Sequence, residues 1–304
     1  MPVLLPVAGI SISLFWLVGA GAMVGFLSGL FGVGGGFLLT PILMMLGIPP
    51  TVAAATDSCQ IVATSSSATA AHFRLGNVDV KLGTILLLGG LTGAAVGVRI
   101  VKFLRAIGSA DLVITITYVL VLGRIGGYMF WESLNSLRRG ALVPMAHMPA
   151  TSGGYLSRLP FQMDFPRSQV RHSVILPFCF CGMVGVLAAI MGVGGGFIMI
   201  PMMVYLLRMP MHVSVGTDLF QILFTCAGVT YMQATTNHTV DLFLAILLAA
   251  GSTIGAQVGA RLGRRLRGDQ LKILLASIVL LVMVKMAVGL LQTPSILLAP
   301  VKGH

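Results

Sequence analysis

The chain has 304 residues, of which 57% are hydrophobic and 9% charged, and its mean hydropathy is +0.99. Soluble domains carry about 25% charged residues, so most of this chain cannot face water; this excludes disorder, a coiled coil and collagen and argues against a soluble enzyme. The net charge of +11 comes from basic residues that lie mostly between apolar runs. That placement is a topology signal of membrane proteins, so no nucleic-acid partner is expected.

Several apolar stretches reach about 20 residues, the length that an α-helix needs to cross a hydrocarbon core of roughly 30 Å. They are continuous, whereas the strands of a membrane β-barrel alternate in hydrophobicity over segments of about ten residues. No Lys or Arg precedes Arg74, so the N-terminus lacks the basic region of a secretory signal peptide. We therefore predict an all-α, multi-pass membrane protein whose first apolar run stays in the membrane.

The sequence contains an internal duplication. The segment Gly-Val-Gly-Gly-Gly-Phe at 32–37 recurs at 192–197, each time followed by a proline, Pro41 or Pro201. Further pairs keep the same order at nearly the same spacing, and these are Thr56/Thr217, Asp57/Asp218, Gln60/Gln221, Arg124/Lys285, Asp79/Asp241, Gly93/Gly255, Gly97/Gly259 and Arg99/Arg261. Such an ordered series indicates two copies of one structural unit.

Each copy has five apolar pieces, of which the second is only about twelve residues long and is predicted to be a half-helix or an oblique crossing. The pieces of the first copy lie near residues 8–31, 36–46, 51–73, 80–101 and 112–130. Those of the second copy lie near residues 174–191, 196–207, 213–234, 242–262 and 271–291. The segment 131–172 between them is basic and contains several Pro and Gly residues, which predicts an irregular surface loop.

The basic residues favour an inverted arrangement of the two copies. With five crossings per copy and both termini outside, thirteen of the 19 basic residues lie in inside loops and four in outside loops, whereas four crossings per copy remove the bias. Arg99, Lys102 and Arg105, which this topology places in an outside loop, argue against the inverted arrangement. We predict two inverted five-segment repeats with about ten transmembrane segments: membrane repeat 1 at 1–131, a basic cytoplasmic connecting loop at 132–172 and membrane repeat 2 at 173–304.

The two glycine segments are the first candidate site. Glycines at this density break a helix, and the helix that follows begins with N–H groups that lack intrahelical partners and carry the positive end of the helix dipole. Two such helix starts would meet near the midplane and cradle an anion. The predicted substrate-binding residues are Gly34, Gly35, Gly36, Phe37, Gly194, Gly195, Gly196 and Phe197. The alternative is that the glycines only permit close helix packing.

Polar residues follow each short piece. Thr56 with Gln60, and Thr217 with Gln221, are spaced i, i+4 on one helix face and could complete the hydrogen-bonding shell of an oxyanion. An intramembrane carboxylate is costly and suggests function, so Asp57 and Asp218 could carry a coupling proton or cation. Alternatively, each Asp caps the start of a helix.

Arg124 and Lys285 are basic residues inside apolar runs at matched positions. They could neutralise an anion along its path, or their long side chains could extend to the membrane interface. His72 has no second His or Cys at ligand spacing, so no metal site is expected. No constellation of serine, histidine and acid suggests a hydrolase, so we do not expect an enzyme. We expect no cofactor either.

The duplicated Gly-x-Gly-Gly-Gly-Phe, the prolines that follow it and the Thr-Asp segments resemble the sulfite exporter TauE/SafE family, also called the toluene sulfonate uptake permease family. The resemblance covers both halves outside 131–172. It implies transport of sulfite, sulfonates or related sulfur oxyanions across the cytoplasmic membrane, and it carries over 32–36 and 192–196 as the signature positions.

The predicted function is therefore secondary transport of a small sulfur oxyanion or organosulfonate by alternating access between the repeats. An inside-negative potential favours anion exit by about 2.3 kcal/mol per charge per 100 mV, which favours an exporter. The alternatives are an anion channel, or a proton- or cation-coupled carrier that uses Asp57 and Asp218; a membrane enzyme ranks last.

Overall fold

The computed structural model describes residues 2–4, 7, 11–31, 36–139, 162–165, 170–207, 209–263 and 268–291. The first half contains β1 (Pro2–Leu4), β2 (Ser11–Ser13), α1 (Leu14–Phe31), α2 (Gly36–Met45), α3 (Pro50–Arg74), α4 (Val80–Ala106) and α5 (Ala110–Arg139). The second half contains β3 (Gln162–Phe165), β4 (Val170–Ser173), α6 (Ile175–Met191), α7 (Gly196–Pro201) with a π-helical turn at Met202–Leu206, α8 (Met211–Thr236), α9 (Leu242–Gly263) and α10 (Gly268–Leu291).

The described residues thus form ten helices, five in each half, and the protein is a helical multi-pass membrane protein. Within the described part of the chain, four stretches are long and apolar enough to cross a membrane by themselves: Val80–Ala106, Ala110–Tyr128, Met211–Thr236 and Leu242–Gly259. The second helix of each half is short, as predicted. At 1.5 Å per residue, the ten residues of α2 extend about 15 Å, half of a hydrocarbon core.

The structure departs from the predictions at two places. The N-terminal apolar run, predicted near residues 8–31, is not helical at Ser11–Ser13. This segment alternates polar and apolar residues and pairs antiparallel with Pro2–Leu4, and α1 begins at Leu14. In the connecting segment, α5 continues to Arg139, and β3 pairs antiparallel with β4. Residues 132–139, 162–165 and 170–172 are therefore regular structure rather than loop, while 140–161 and 166–169 lie outside the described residues.

The helices pack in pairs that match between the halves. Helix α1 packs on α9, and the matched helices α6 and α4 pack in the same way. Likewise, α3 packs on α9, and α8 packs on α4. In addition, α3 packs on its own counterpart α8, and α5 packs on its counterpart α10. Small residues bring these helices close. A methyl group at Gly93 would clash with the backbone of Gly182, and one at Gly255 with the backbone of Ala22. These two glycines therefore permit close packing of the helices.

Candidate functional site

The two short helices meet in the interior of the helix bundle. Phe37 at the start of α2 stacks on Phe197 at the start of α7, with ring centroids 5.1 Å apart and ring planes within 10° of parallel. Both side chains are buried. Because the two residues hold the same place in the duplication, the contact lies where the two halves face each other. The structure therefore brings together the two helix starts that the glycine segments precede.

The second glycine segment forms a tight turn between α6 and α7. Gly192, Gly194 and Gly195 have φ values of 76°, 70° and 87°, in the left-handed region where a Cβ atom is disfavoured. Glycine adopts such φ values without steric cost, which explains the dense glycine of this turn. Of the matched candidates in the first half, Gly36 lies in α2, whereas Gly34 and Gly35 lie outside the described residues.

Protein side chains fill the space around the second turn. A Cβ atom at Gly194 would lie 2.9 Å from Cys226 Sγ, and one at Gly196 would lie 2.8 Å from Asp218 Oδ2. A Cβ atom at Gly195 would clash with Val184. In this conformation the glycines provide close packing, and the anion cradle stays a prediction that requires the neighbouring side chains to move.

Asp57 and Asp218 are the acids next to these helix starts, and both are fully buried. Each lies seven residues inside its helix, α3 or α8, so the alternative that they cap helix starts is wrong. The Thr40 hydroxyl donates a hydrogen bond of 2.6 Å to Asp57 Oδ2. The Oδ1 atoms of Asp57 and Asp218 have no hydrogen-bond partner among the described residues. Each acid thus keeps an unused acceptor in the interior.

The helix-capping acids are Asp79 and Asp241 instead. Their carboxylates accept the N–H groups of Leu82 and Leu244, in the first turns of α4 and α9. Both residues pair in the duplication, and each follows valine and precedes an apolar run. That position before a helix is the sequence signal that identifies them as caps.

Thr56 and Thr217 lie beside these caps rather than at the glycine turn. The Thr56 hydroxyl accepts the N–H of Asp241 at 3.1 Å, and the Thr217 hydroxyl accepts the N–H of Asp79 at 3.0 Å. Both hydroxyls are therefore engaged in joining each long central helix to the opposite half. Their place in an anion shell remains a prediction, and in this conformation these contacts compete with it.

Gln60 and Gln221 have different partners. Gln60 Nε2 donates to Ser252 Oγ in α9 at 2.5 Å, and a small cavity lies next to this pair. Gln221 Nε2 donates to Thr225 Oγ1 in its own helix at 2.8 Å. Gly90, which takes the place of Ser252 in the duplication, offers Gln221 no hydroxyl. Two matched amides therefore have unequal surroundings.

Arg124 and Lys285 are both exposed on α5 and α10. Neither approaches the buried acids or the glycine turn in the described contacts. Their exposure favours the interpretation that the side chains extend to the membrane interface over a role along an internal anion path.

The sequence interpretation missed Thr40 and Ser252, which bond Asp57 and Gln60. A hydroxyl residue in an apolar run usually bonds the carbonyl oxygen one turn earlier in its own helix. The local sequence therefore carries no signal that these two reach a second helix. Their matched positions, Ile200 and Gly90, are not polar, so the duplication did not mark them either.

The fold and the site define a duplicated helical membrane protein whose short, broken helices meet beside two buried acids. The family model for the sulfite exporter TauE/SafE family matches residues 17–286, and the chain belongs to that family.

Relatives span most of the chain. A probable membrane transporter protein of Bacillus subtilis, YjnA, is 29% identical over 267 residues, which cover 86% of this chain and 94% of the relative. A second from the same organism, YunE, is 26% identical over 247 residues, covering 78% of this chain and 83% of the relative. Sulfite exporter TauE/SafE family protein 1 of Arabidopsis thaliana is 32% identical over 123 residues, covering 38% of this chain and 27% of the relative. No solved structure matches the chain.

Proposed function

We propose that this protein is a secondary transporter that exports a small sulfur oxyanion or organosulfonate, such as sulfite, across the cytoplasmic membrane by alternating access. The observation that carries the proposal is the meeting of α2 and α7 at the Phe37–Phe197 stack, next to Asp57 and Asp218. Broken helices that meet inside the membrane expose backbone groups where a substrate can bind, and transporters built from repeats place their sites there. The family and the names of the relatives support the class and the substrate.

Repeats of opposite orientation are one common basis for alternating access, and contacts between the halves support that arrangement here. Asp79, just beyond the end of α3, bonds Thr217 in the first third of α8. Asp241, just beyond the end of α8, bonds Thr56 in the first third of α3. The end of each helix thus lies beside the beginning of the other, so the matched helices α3 and α8 run in opposite directions. Antiparallel equivalent helices are expected of two copies related by inversion, so this geometry supports the inverted arrangement.

Two further contacts agree with the sides assigned to the loops. The Arg105 side chain bonds the backbone of Asn237, and Lys81 Nζ bonds the backbone oxygen of Asp164 at 3.1 Å. The first contact joins two segments placed outside, and the second joins two placed in the cytoplasm. Both follow from five crossings per half.

The buried acids favour a proton-coupled carrier as the second candidate. Asp218 Oδ2 lies close to Gly196, whose backbone would help to bind the anion. An ionised carboxylate at that position repels an anion strongly, because the dielectric constant of the interior is low. A proton on Asp218 removes the repulsion, so proton and substrate would bind together. This candidate would move the anion against the membrane potential, whereas an uncoupled exporter would not.

The experiment is flux in proteoliposomes that contain the purified protein. Sulfite, sulfoacetate, taurine and thiosulfate are compared with sulfate and chloride, under an imposed potential and, separately, an imposed pH gradient. We expect flux of at least one sulfur oxyanion or sulfonate, accelerated by substrate on the opposite side, as exchange through a carrier requires. Flux of chloride without such acceleration would indicate an anion channel. Absence of flux for all four sulfur compounds would refute the substrate class.

The inversion has its own test. Leu75 and Thr235 are exposed residues at the ends of α3 and α8, at nearly matched positions. In a background in which exposed Cys179 is replaced by alanine, Leu75→Cys should react with a membrane-impermeant maleimide only from the cytoplasmic side. Thr235→Cys should react only from outside. Reaction of both variants from one side would show that the repeats are parallel.

A further inference from the structure

A cavity of about 20 Å³ lies between α1, α3 and α9. Its polar lining consists of Ser28, Gln60, Thr64 and Ser252. Gln60 is 4% exposed, and its Oε1 atom accepts no hydrogen bond from the described residues, nor does the Ser28 hydroxyl have a partner among them. The volume suffices for one water molecule. Unused hydrogen-bonding groups in the membrane interior therefore face a space that can hold a polar species.

From this cavity, α3 presents a face of small residues. The face continues towards Arg74, at the end of α3, and consists of the exposed residues Ala63, Ser66, Ser67 and Ala70. Two of its four members carry hydroxyl groups, and both hydroxyls bond carbonyl oxygens of α3 itself. Thr64 lies ten residues before Arg74, so the face extends about 15 Å from the cavity to the end of the helix.

The matched face of α8 is different. In the duplication, Ala63 and Ala70 correspond to Phe224 and Tyr231, which are 45% and 71% exposed. Exposed aromatic rings of this kind suit contact with lipid. The small hydroxyl residues of α3 do not gain from such contact, although their backbone bonds make it tolerable.

The space between α6, α8 and α4, the helices that match those around the cavity, is filled by side chains. Gly90 takes the place of Ser252, and a Cβ atom there would lie 2.8 Å from Thr225 Oγ1 and 2.9 Å from Gln221 Nε2. Ala188 takes the place of Ser28 and removes its hydroxyl. Helix α8 therefore packs directly on α4 at the level where α3 leaves a polar space against α1 and α9.

We infer that the cavity is the inner end of a water-filled access route along the α3 face, which opens to the side of the membrane at which α3 ends, and that the equivalent route along α8 is closed in this conformation. The inference deepens the proposed function and rests on it for the identity of the solute. The described residues of the cavity lining supply hydroxyl and amide groups and no charged side chain, so the cavity would take water and a small oxyanion through hydrogen bonds rather than ion pairs. In the proposed topology, the route opens to the cytoplasm.

The experiment measures the access of water to matched cysteines. Ser66→Cys and Ala227→Cys occupy matched, exposed positions on α3 and α8 and are introduced where Cys59, Cys179, Cys181 and Cys226 are replaced by alanine. Leu120→Cys on α5 is the control, because Leu120 is an exposed apolar residue within a membrane span. The reagent is a membrane-impermeant charged maleimide, applied without substrate from either side of oriented vesicles.

Thiols react as thiolates and therefore need water, so Ser66→Cys should react from the cytoplasmic side about ten-fold or more faster than Leu120→Cys and Ala227→Cys. Ser67→Cys, on the same face, should behave alike. Equal, slow reaction of Ser66→Cys, Ser67→Cys and Leu120→Cys would overturn the route along α3. Equally fast reaction of Ala227→Cys from outside would overturn the closure along α8. Labelling does not require flux, so the expected pattern in a protein that carries none of the four sulfur compounds would refute the substrate and leave the route standing.

Discussion

The two halves share a backbone plan but differ in the partners of their matched polar residues. Asp57 accepts a hydrogen bond from Thr40. In the second half the residue that corresponds to Thr40 is Ile200, whose side chain has no group that could donate to Asp218. Gln60 bonds Ser252 in the other half, whereas Gln221 bonds Thr225 within its own helix. The acids and amides are thus duplicated, and their partners are not. The halves can follow one architecture and still play unequal parts in binding and access.

The largest expected effect concerns the glycine turn of the second half. Gly192→Ala would place a methyl group against the backbone of Ala54 at a φ of 76°, so we expect a loss of about 3 kcal/mol or more of stability. Gly47→Ala is the control, because Gly47 has a φ of 90° but open space around it, and should cost about 1 kcal/mol. Unfolding midpoints in detergent compare the variants.

Gly32→Ala extends this test to the first half, where the matched glycine lies outside the described residues. Equal loss of stability in Gly32→Ala and Gly192→Ala would show that both halves use the same turn. A Gly192→Ala variant as stable as Gly47→Ala would contradict the packing around the second turn.

The second test asks whether the acids are equivalent. Asp218, without a described hydrogen bond to its carboxylate, is the better candidate for the coupling proton, and its protonation would relieve repulsion of the anion. We expect wild-type flux to rise as the pH falls, by up to about ten-fold per unit for one proton, and Asp218→Asn to lose this dependence. Asp57→Asn should retain it. The measurement is initial flux against pH in proteoliposomes.

Full wild-type pH dependence in Asp218→Asn would remove Asp218 from coupling. If Asp57→Asn alone lost the dependence, the roles of the two halves would be the reverse of those proposed.

A smaller effect should follow from the Thr40–Asp57 bond. Thr40→Val keeps the shape of the side chain but removes the hydroxyl donor. We expect the free energy of unfolding to fall by about 1–2 kcal/mol, because buried Asp57 Oδ2 loses its hydrogen-bond partner. Thr40→Ser, which keeps the hydroxyl, is the matched control and should retain more stability. The check is the unfolding midpoint of each variant in detergent. Equal midpoints for Thr40→Val and wild type would show that the bond does not distinguish the halves energetically.

The smallest effect is expected at the exposed basic pair. Arg124→Gln and Lys285→Gln should change substrate flux by no more than about two-fold, because side chains that extend to the interface do not contact the solute. The flux is measured at a fixed membrane potential, so that a change in transport by the protein is not confused with a change in the driving force. A large loss of substrate flux in either variant would indicate that the substituted residue contacts the anion along its path.

Much of the fold followed from local patterns. Continuous apolar runs, the paired glycine segments and the ordered matches predicted ten helices in two halves with a short second helix in each. The extent of α5 and the hairpin β3–β4 did not follow, because the residues concerned are too polar for a hydropathy argument. The hairpin β1–β2 did not follow either, because hydropathy does not distinguish a strand from a helix in a short apolar run. The candidate glycines, acids and amides could be identified because polar or flexible residues are unusual inside apolar runs. That property can be seen in the sequence without knowing the contacts of the residue.

The sequence by itself determined the membrane-embedded class, the duplication and the positions of the buried acids. Hydropathy, residue type and repeat spacing can all be measured along the chain without knowing which segments touch. Only the tertiary structure decided which of those residues share a neighbour. It separated Thr56 and Thr217 from the glycine turn, moved the capping role from Asp57 and Asp218 to Asp79 and Asp241, and gave Gln60 a cavity and Ser252 as partner. The physical reason is that hydrogen bonds depend on distances of about 3 Å between helices remote in sequence, which no local pattern encodes.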